Sequence, residues 1–181
     1  GPFPNDIPDP EASGLFLYLN TGKRSVTLDV EHESGTVVEM VQDVDVVIEN
    51  YPPGKLASLG LGYDDMARVN PSVLVVSITP FGQYGPYRDF ESSDIVVHAL
   101  SGELYLAGRP EREPLKKGGN LSEYHGGLNG HLSVMAALYA RQTTGRGQHI
   151  DVSLLEGATA VIGMAVKRWV YMGQVDARRG T

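Results

Sequence analysis

Two short runs of β-branched apolar residues constrain the fold of this chain more than any other feature. The first run covers residues 44–48 (VDVVI) and leads into the loop ENYPPG, and the second covers 73–78 (VLVVSI) and leads into TPFG. A short predicted helix over 63–69 separates them. Such runs are typical of buried strands in a parallel sheet. Their alternation with helices predicts an α/β fold built from repeated strand-helix units.

The rest of the chain extends this pattern. Residues 25–30 (SVTLDV) alternate apolar and polar side chains, which predicts a half-buried strand. Further helices are expected over 34–41, 94–100 and 120–141, followed by a strand over 148–152. Ser153 is a predicted N-cap for a helix that runs to about residue 172. That last helix carries an apolar stripe wide enough to require covering by other protein surface, and the stripe consists of Leu155, Ala158, Ile162, Ala165 and Trp169.

Composition excludes several classes of function. With 181 residues, of which 41% are hydrophobic, the chain can bury the core of one domain. The net charge of −7 argues against a nucleic-acid-binding surface. The absence of cysteine excludes disulfides and thiolate metal sites and agrees with a cytoplasmic location. The five histidines are scattered without ligand spacing, so no metal is expected, and no apolar run is long enough for a membrane helix.

One ionisable residue stands at the start of the long helix. The sequence NLSEYHGGLNGHLSVMAALYAR, residues 120–141, places Glu123 in its first turn, ahead of an apolar stripe formed by Leu128, Leu132, Met135 and Tyr139. An acidic side chain in a first turn gains about 0.3–1 kcal/mol from the helix dipole, so Glu123 has an ordinary structural explanation. The alternative is that Glu123 is a nucleophile.

Several segments together resemble family III CoA-transferases, the group that includes formyl-CoA, carnitine and bile-acid CoA-transferases and the α-methylacyl-CoA racemases. The matching segments are LNTGKRSVTLDV, VDVVIENYPPGKLASLGLGYD, NPSVLVVSITPFGQYGP and ALYARQTTGRGQHIDVSLLEGA. The resemblance implies a Rossmann-like large domain in an interlocked homodimer. Because such proteins are about twice this length, residues 1–181 are expected to be a single partial domain. It would lack the N-terminal strands and the C-terminal small domain, and we expect no turnover from it alone.

The resemblance also implies a reaction: transfer of CoA between an acyl-CoA and a carboxylic acid through an enzyme carboxylate, a mixed anhydride and an enzyme-CoA thioester. The family nucleophile is an aspartate followed four residues later by glycine, and these positions fall on Glu123 and Gly127. A glutamate is a carboxylate of similar basicity. Its extra methylene displaces the attacking oxygen by about an ångström, a shift that can cost about 100-fold in rate.

Other site residues follow from the same resemblance. Lys23 matches a basic residue near the CoA, Asn50 and Tyr51 match residues that line the CoA site, and Gly54 belongs to the loop that follows. Taken alone, Lys23 is either a solvated turn residue or a cation for a phosphate. The family often has basic residues where Pro52 and Ser58 stand, so Lys55 is a candidate replacement.

Three functional interpretations remain open. The first is a cytoplasmic CoA-transferase with acyl-CoA and carboxylate substrates, with no metal and with no nucleic-acid or membrane partner. The second is a degenerate CoA-binding domain that has lost catalysis. The third is an acyl-CoA racemase, which is disfavoured because the racemases place a histidine before the aspartate that matches Asp94, and here that position is Ser93.

Overall fold

A parallel sheet of three strands organises the structure, a computed structural model that describes residues 2–180. Its strands are Val46–Glu49 (β1), Leu74–Thr79 (β2) and Gln148–Ser153 (β3), with β2 in the middle. The register pairs Val47 with Val75 and Val75 with His149. The predicted α/β architecture with a parallel sheet is therefore confirmed.

Helices precede, connect and follow the strands. In chain order they are α1 (Gly14–Asn20), α2 (Ser34–Val41), α3 (Lys55–Ser58), α4 (Tyr63–Val69), α5 (Asp94–Leu100), α6 (Glu103–Leu106), α7 (Leu121–Thr144), α8 (Leu154–Val161) and α9 (Gly163–Met172). The proline-rich start, predicted to be an extended loop, forms single 3₁₀ turns at Pro4–Asp6 and Pro10–Ala12. Gly1 and Thr181, the ends of the predicted partial domain, lie outside the described residues.

The two faces of β2 are covered by different helices. On one face, Val73 and Val75 are fully buried against Val41 of α2 and Leu61 and Met66 around α4. On the opposite face, Val76 and Ile78 lie beneath α7. Since successive side chains of a strand point to opposite faces, the four apolar residues of β2, together with the small Ser77 and Thr79, allow it to be buried on both.

Helix α7 approaches the sheet through glycine rather than through its large side chains. A Cβ atom on Gly130 would lie 3.1 Å from Ile78 Cδ1, and one on Gly126 would lie 3.4 Å from Ile78 Cγ2 and 2.2 Å from Leu154 Cδ2. The predicted apolar stripe of α7 faces away from the sheet, and its four residues Leu128, Leu132, Met135 and Tyr139 are each more than half exposed. The small residues of α7 therefore determine its packing.

Two local predictions are wrong. Residues 25–30 form no strand, because no neighbouring strand pairs with them and their alternating side chains have no sheet to cover. The helix expected over 153–172 is divided at Ile162, whose backbone leaves the helical region (ψ 15°) just before Gly163. The N-cap prediction for that helix is confirmed, since Ser153 Oγ accepts a hydrogen bond from the Glu156 backbone N–H at 3.3 Å.

Candidate active site at the carboxyl edge of the sheet

The loop after β1 forms one wall of a cleft. Its shape is set by short-range hydrogen bonds: Glu49 Oε2 accepts from the Tyr51 N–H at 2.7 Å, and the Lys55 N–H donates to the Pro52 carbonyl at 3.0 Å. Gly54 closes the turn with φ 84°, in the left-handed region that favours glycine. The loop follows the carboxyl end of a parallel strand, which is the edge where open α/β sheets bind ligands.

The opposite wall of this cleft comes from the chain that follows β2. Arg88, Asp89, Phe90, Glu91 and Ser92 face the loop of Asn50, Tyr51, Pro52 and Pro53 across a volume of about 360 Å³, and we call this space the proline cleft. Arg88 comes close to the loop, since a Cβ on Gly54 would lie 3.5 Å from its Nη2. The guanidinium is paired with Asp89 at 3.1 Å. With two carboxylates to one guanidinium, the cleft is better suited to an uncharged group than to a phosphate.

The two predicted lysines lie outside this cleft. Lys55 is the first residue of α3, and its ammonium is hydrogen-bonded to Glu31. Lys23 follows α1 and donates to Asn20 Oδ1 at 3.1 Å. Of the five predicted CoA-binding residues, Asn50 and Tyr51 thus line the proline cleft, Gly54 shapes it, and Lys55 and Lys23 are bound to side chains elsewhere.

Glu123 lies in the first turn of α7 with an exposed side chain. Asn120 Nδ2 donates to its Oε2 at 3.0 Å, and Oε1 has no hydrogen-bond partner within residues 2–180. The first backbone N–H groups of a helix lack intrahelical acceptors and carry partial positive charge, which favours a carboxylate at this position. One oxygen of Glu123 is therefore held and the other is accessible.

Asp94 fixes the turn that carries Glu123. Asp94 Oδ1 accepts hydrogen bonds from the backbone N–H of Ser122 at 3.1 Å and from the Ser122 hydroxyl, and Lys116 Nζ lies 2.5 Å from Oδ2. Burial raises the pKa of Asp94, but Lys116, Ser122 and the nearby His98 together outweigh burial and hold this pKa below its ordinary value. Asp94 is thus a charged cap on the first turn of α7.

Asp94 connects one wall of the proline cleft to the turn that carries Glu123. Ser92 lines the cleft, Asp94 stands two residues later, and Asp94 bonds directly to the residue before Glu123. Two residues span at most about 7 Å. The chain that forms this wall therefore leads directly to the residue that fixes the first turn of α7.

The comparison with known proteins decides the family. The sequence profile described as CoA-transferase family III matches residues 3–181. The chain belongs to CoA-transferase family III. The family assignment predicted from the sequence motifs is therefore confirmed.

Similar family III proteins are named as CoA-transferases. The chain is 37% identical to an acetyl-CoA:oxalate CoA-transferase of Acetobacter aceti over 99% of its own length and 46% of the relative's. It is 39% identical to the beta subunit of a succinyl-CoA–L-malate CoA-transferase of Chloroflexus aurantiacus, over 92% of this chain and 42% of that one. The chain thus spans less than half the length of these curated relatives.

Solved structures agree with the family assignment. A CAIB/BAIF family protein from Brucella suis superposes with a TM-score of 0.84 at 36% identity, covering 88% of this chain and 43% of that one. A hypothetical protein from Mycobacterium tuberculosis superposes with a TM-score of 0.76 at 28% identity, over 83% of this chain and 44% of that one. The fold of this chain is the one shared by these CoA-transferase-like proteins.

The site also contains residues that the sequence did not indicate. Arg88, Ser122 and Lys116 have no motif that marks them, and Asp94 attracted notice only through the racemase comparison. Asp94 and Ser122 are 28 positions apart, so no local spacing reveals their contact.

Across residues 2–180, no group of three or more His, Cys, Asp or Glu side chains is arranged so that it could hold a metal ion. No helix in the same range is long and apolar enough to cross a membrane.

Proposed function

We propose that the protein containing this chain transfers CoA between an acyl-CoA and a carboxylic acid, with Glu123 as the nucleophile. The observation that carries this proposal is the position of Glu123 in a family III chain: an exposed carboxylate in the first turn of α7, with one oxygen held by Asn120. Relatives named for oxalate, malate and glutarate support small carboxylic acids as the acceptor class.

The proposed reaction proceeds through the Glu123 carboxylate. Glu123 attacks the thioester carbonyl, CoA leaves as a thiolate, and a mixed anhydride forms. The thiolate then attacks the Glu123 carbonyl of the anhydride, which releases the original acyl group as a carboxylate and leaves a Glu123-CoA thioester. The acceptor carboxylate attacks this thioester, and the returning thiolate cleaves the second anhydride to give the new acyl-CoA and restore Glu123.

Other residues of this chain would hold the Glu123 carboxylate and the CoA in position for these steps. Asn120 anchors one oxygen of Glu123, so the other points toward substrate, and positioning of this kind supplies a large part of a catalysed rate. We propose that Asn50, Tyr51 and Gly54 contact the uncharged pantetheine arm in the proline cleft. Lys23 and Lys55 would contact the phosphates of CoA, with Lys55 exchanging Glu31 for phosphate.

The decisive experiment is Glu123→Gln in the full-length protein. We expect it to abolish CoA transfer, because an amide oxygen is a poor nucleophile. Incubating the wild-type protein with an acyl-CoA and then with hydroxylamine should modify Glu123, as read by peptide mass spectrometry. The matched control is Glu113→Gln in the exposed loop before α7, which should retain activity. Transfer by Glu123→Gln, or modification of another residue in the wild type, would refute the assignment.

A second candidate is a CoA-binding domain without catalysis. Three observations favour it: a glutamate stands at the nucleophile position, Pro52 and Ser58 are uncharged, and the proline cleft carries Asp89 and Glu91. Glu123→Asp separates the two candidates. An enzyme adapted to glutamate should lose about 100-fold in rate when the carboxylate retracts by one methylene. A protein that gains transfer only as Glu123→Asp would be a degenerate one.

The racemase alternative is less well supported. Ser93 occupies the histidine position and is a poor base, while Asp94 is committed to Ser122 and Lys116. Racemisation needs two groups that exchange a proton across the α-carbon.

We further propose that the full-length protein is a cytoplasmic homodimer. The exposed stripe of α7, formed by Leu128, Leu132, Met135 and Tyr139, supports this, because contiguous apolar surface of this kind marks an interface. Sedimentation of the full-length protein measures its mass. A monomer at micromolar concentration would refute the dimer.

A further inference from the structure

A cluster of ionisable side chains is buried behind the turn that carries Glu123. His98 of α5 and Glu103 of α6 are 1% and 2% exposed. His98 Nε2 lies 3.7 Å from Asp94 Oδ1 and 3.5 Å from Glu103 Oε2. The imidazole thus stands between two carboxylates, and we refer to Asp94, His98 and Glu103 as the buried triad.

The loop that leads into α7 is fastened to this triad by two consecutive lysines. Lys116 Nζ lies 2.5 Å from Asp94 Oδ2, and Lys117 Nζ donates to Glu103 Oε1 at 2.8 Å. Lys116 also donates to the Gly119 carbonyl at 2.6 Å, directly before Asn120. Because Asn120 in turn holds Glu123, the triad restrains Glu123 through this loop as well as through the Asp94–Ser122 bonds.

Burial of this triad is difficult to explain by stability. His98 Nε2 and Glu103 Oε2 are buried, and neither has a well-aligned hydrogen-bond partner within residues 2–180. Each buried polar group that lacks a hydrogen-bond partner destabilises the folded state. An apolar pair of similar size would fill the same space at less cost, as replacements of buried ion pairs elsewhere demonstrate. The triad therefore contributes something other than stability.

We propose that His98 is a positioning residue for Glu123. It keeps Asp94 and Glu103 at fixed separation, so that both lysines hold the loop of residues 107–119 against α5 and α6 and Asp94 keeps its bonds to Ser122. The inference rests on the proposed role of Glu123, and it adds that correct placement of that carboxylate requires a histidine which touches no substrate.

The test compares His98→Leu with His98→Gln in the full-length protein. Leucine removes the bridge between the carboxylates, whereas glutamine keeps an amide that can donate to both. We expect His98→Leu to lower kcat about 100-fold, the loss typical of a misplaced reacting group, with KM for acyl-CoA nearly unchanged. His98→Gln should recover most of the rate. The single-turnover rate of hydroxylamine-trapped modification at Glu123 should fall in parallel with kcat, because that rate reports the attack itself.

A second variant tests the same proposal in case His98→Leu does not fold. Lys117→Met removes only the outer anchor, at a side chain that is 45% exposed. Because the buried Glu103 then loses an ion-pair partner, some thermal stability should be lost. The kcat is therefore measured at a temperature at which circular dichroism shows the variant fully folded, and it should still be lower than that of the wild type. The matched control is Lys167→Met, at an exposed lysine of α9 far along the chain from the triad. Its kcat should equal that of the wild type.

The outcomes separate this inference from the proposed function. If Glu123→Gln is inactive while His98→Leu and Lys117→Met keep wild-type kcat, the positioning role is wrong and the nucleophile stands. If both His98 variants lose kcat in proportion to lost thermal stability and Lys117→Met loses none, the triad is only structural. If Glu123→Gln remains active, the proposed function itself fails.

Discussion

Replacing Gly147 by alanine should destabilise the sheet that supports the candidate site. Gly147 immediately precedes β3, and its N–H donates to the Pro71 carbonyl at 2.9 Å. A Cβ atom here would lie 1.8 Å from the Val73 carbonyl oxygen, 2.6 Å from the Val73 carbonyl carbon and 2.8 Å from that of Ser72. All three atoms are backbone, so no side-chain rotation relieves the overlap.

The expected loss in the free energy of unfolding follows from what must move. Relieving a 1.8 Å contact requires the start of β3 to withdraw from β2 by more than an ångström. This breaks the Gly147–Pro71 bond and weakens the first β2–β3 pairing, at about 0.5–1.5 kcal/mol for each hydrogen bond. Overpacking strain adds about 1–3 kcal/mol. We expect a total of about 3 kcal/mol, which lowers the melting temperature by roughly 6–12 °C in a domain of this size.

Thermal unfolding followed by circular dichroism measures this loss. The matched control is Gly35→Ala in α2, where an added Cβ has no neighbour within 4 Å. That substitution should raise stability by up to about 1 kcal/mol, because alanine is the better helix former. A Gly147→Ala protein that melts within about 2 °C of the wild type would refute the close approach of the two strands.

Two further predictions concern the site. Asp94 has a lowered pKa, so its charge stabilises the folded state at neutral pH, and this contribution disappears as the pH falls through the lowered pKa, below the ordinary 3.8. The stability difference between wild type and Asp94→Asn in urea unfolding should therefore be widest near neutrality and should shrink below about pH 4; a difference independent of pH would contradict the charged cap. Gly54→Ala places a side chain at φ 84°, at a conformational penalty of about 1–2 kcal/mol, and brings it 3.5 Å from Arg88 Nη2. It should raise KM for acyl-CoA more than it lowers kcat, and an unchanged KM would show that this loop does not contact CoA.

The strands of the sheet could be predicted from sequence because each is marked by the residue types within a short segment. Residues 44–48 and 73–78 carry mostly apolar, β-branched runs. The second run forms the central strand β2, which is buried on both faces, whereas β1 lies at the sheet edge and leaves Ile48 65% exposed. Residues 25–30 alternate apolar and polar side chains just as clearly, yet they form no strand. A strand also needs a neighbouring strand to pair with, and the sequence of a short segment does not indicate whether it has one. The division at Ile162 was missed for a related reason, since the apolar stripe continues through the break.

The candidate site was predictable only where a family motif marks it. The motif indicated Glu123 and its helix, and the structure places the start of that helix near the carboxyl end of β2, where Gly126 and Gly130 approach Ile78. Spacing could not reveal that Asp94 bonds Ser122, or that His98 and Glu103 stand next to each other with Lys117, because these contacts depend on the packing of α5 and α6 behind α7. A sequence position also does not reveal which side chain a residue binds. Lys55 stands at a position where the family resemblance suggests a CoA contact, but in the structure its ammonium binds Glu31.

The packing of α7 against the sheet through glycine residues has a consequence for the order of folding. Gly126, Gly127 and Gly130 each disfavour an isolated helix by about 1 kcal/mol relative to alanine. Isolated helices are marginal even with good formers, so the first half of α7 gains its stability from contact with Ile78 and Leu154. We therefore expect this half to become helical late, after β2 and α8 are in place. If Glu123 is the nucleophile that we propose, an incompletely folded chain would then hold it in no fixed position until β2 and α8 are in place.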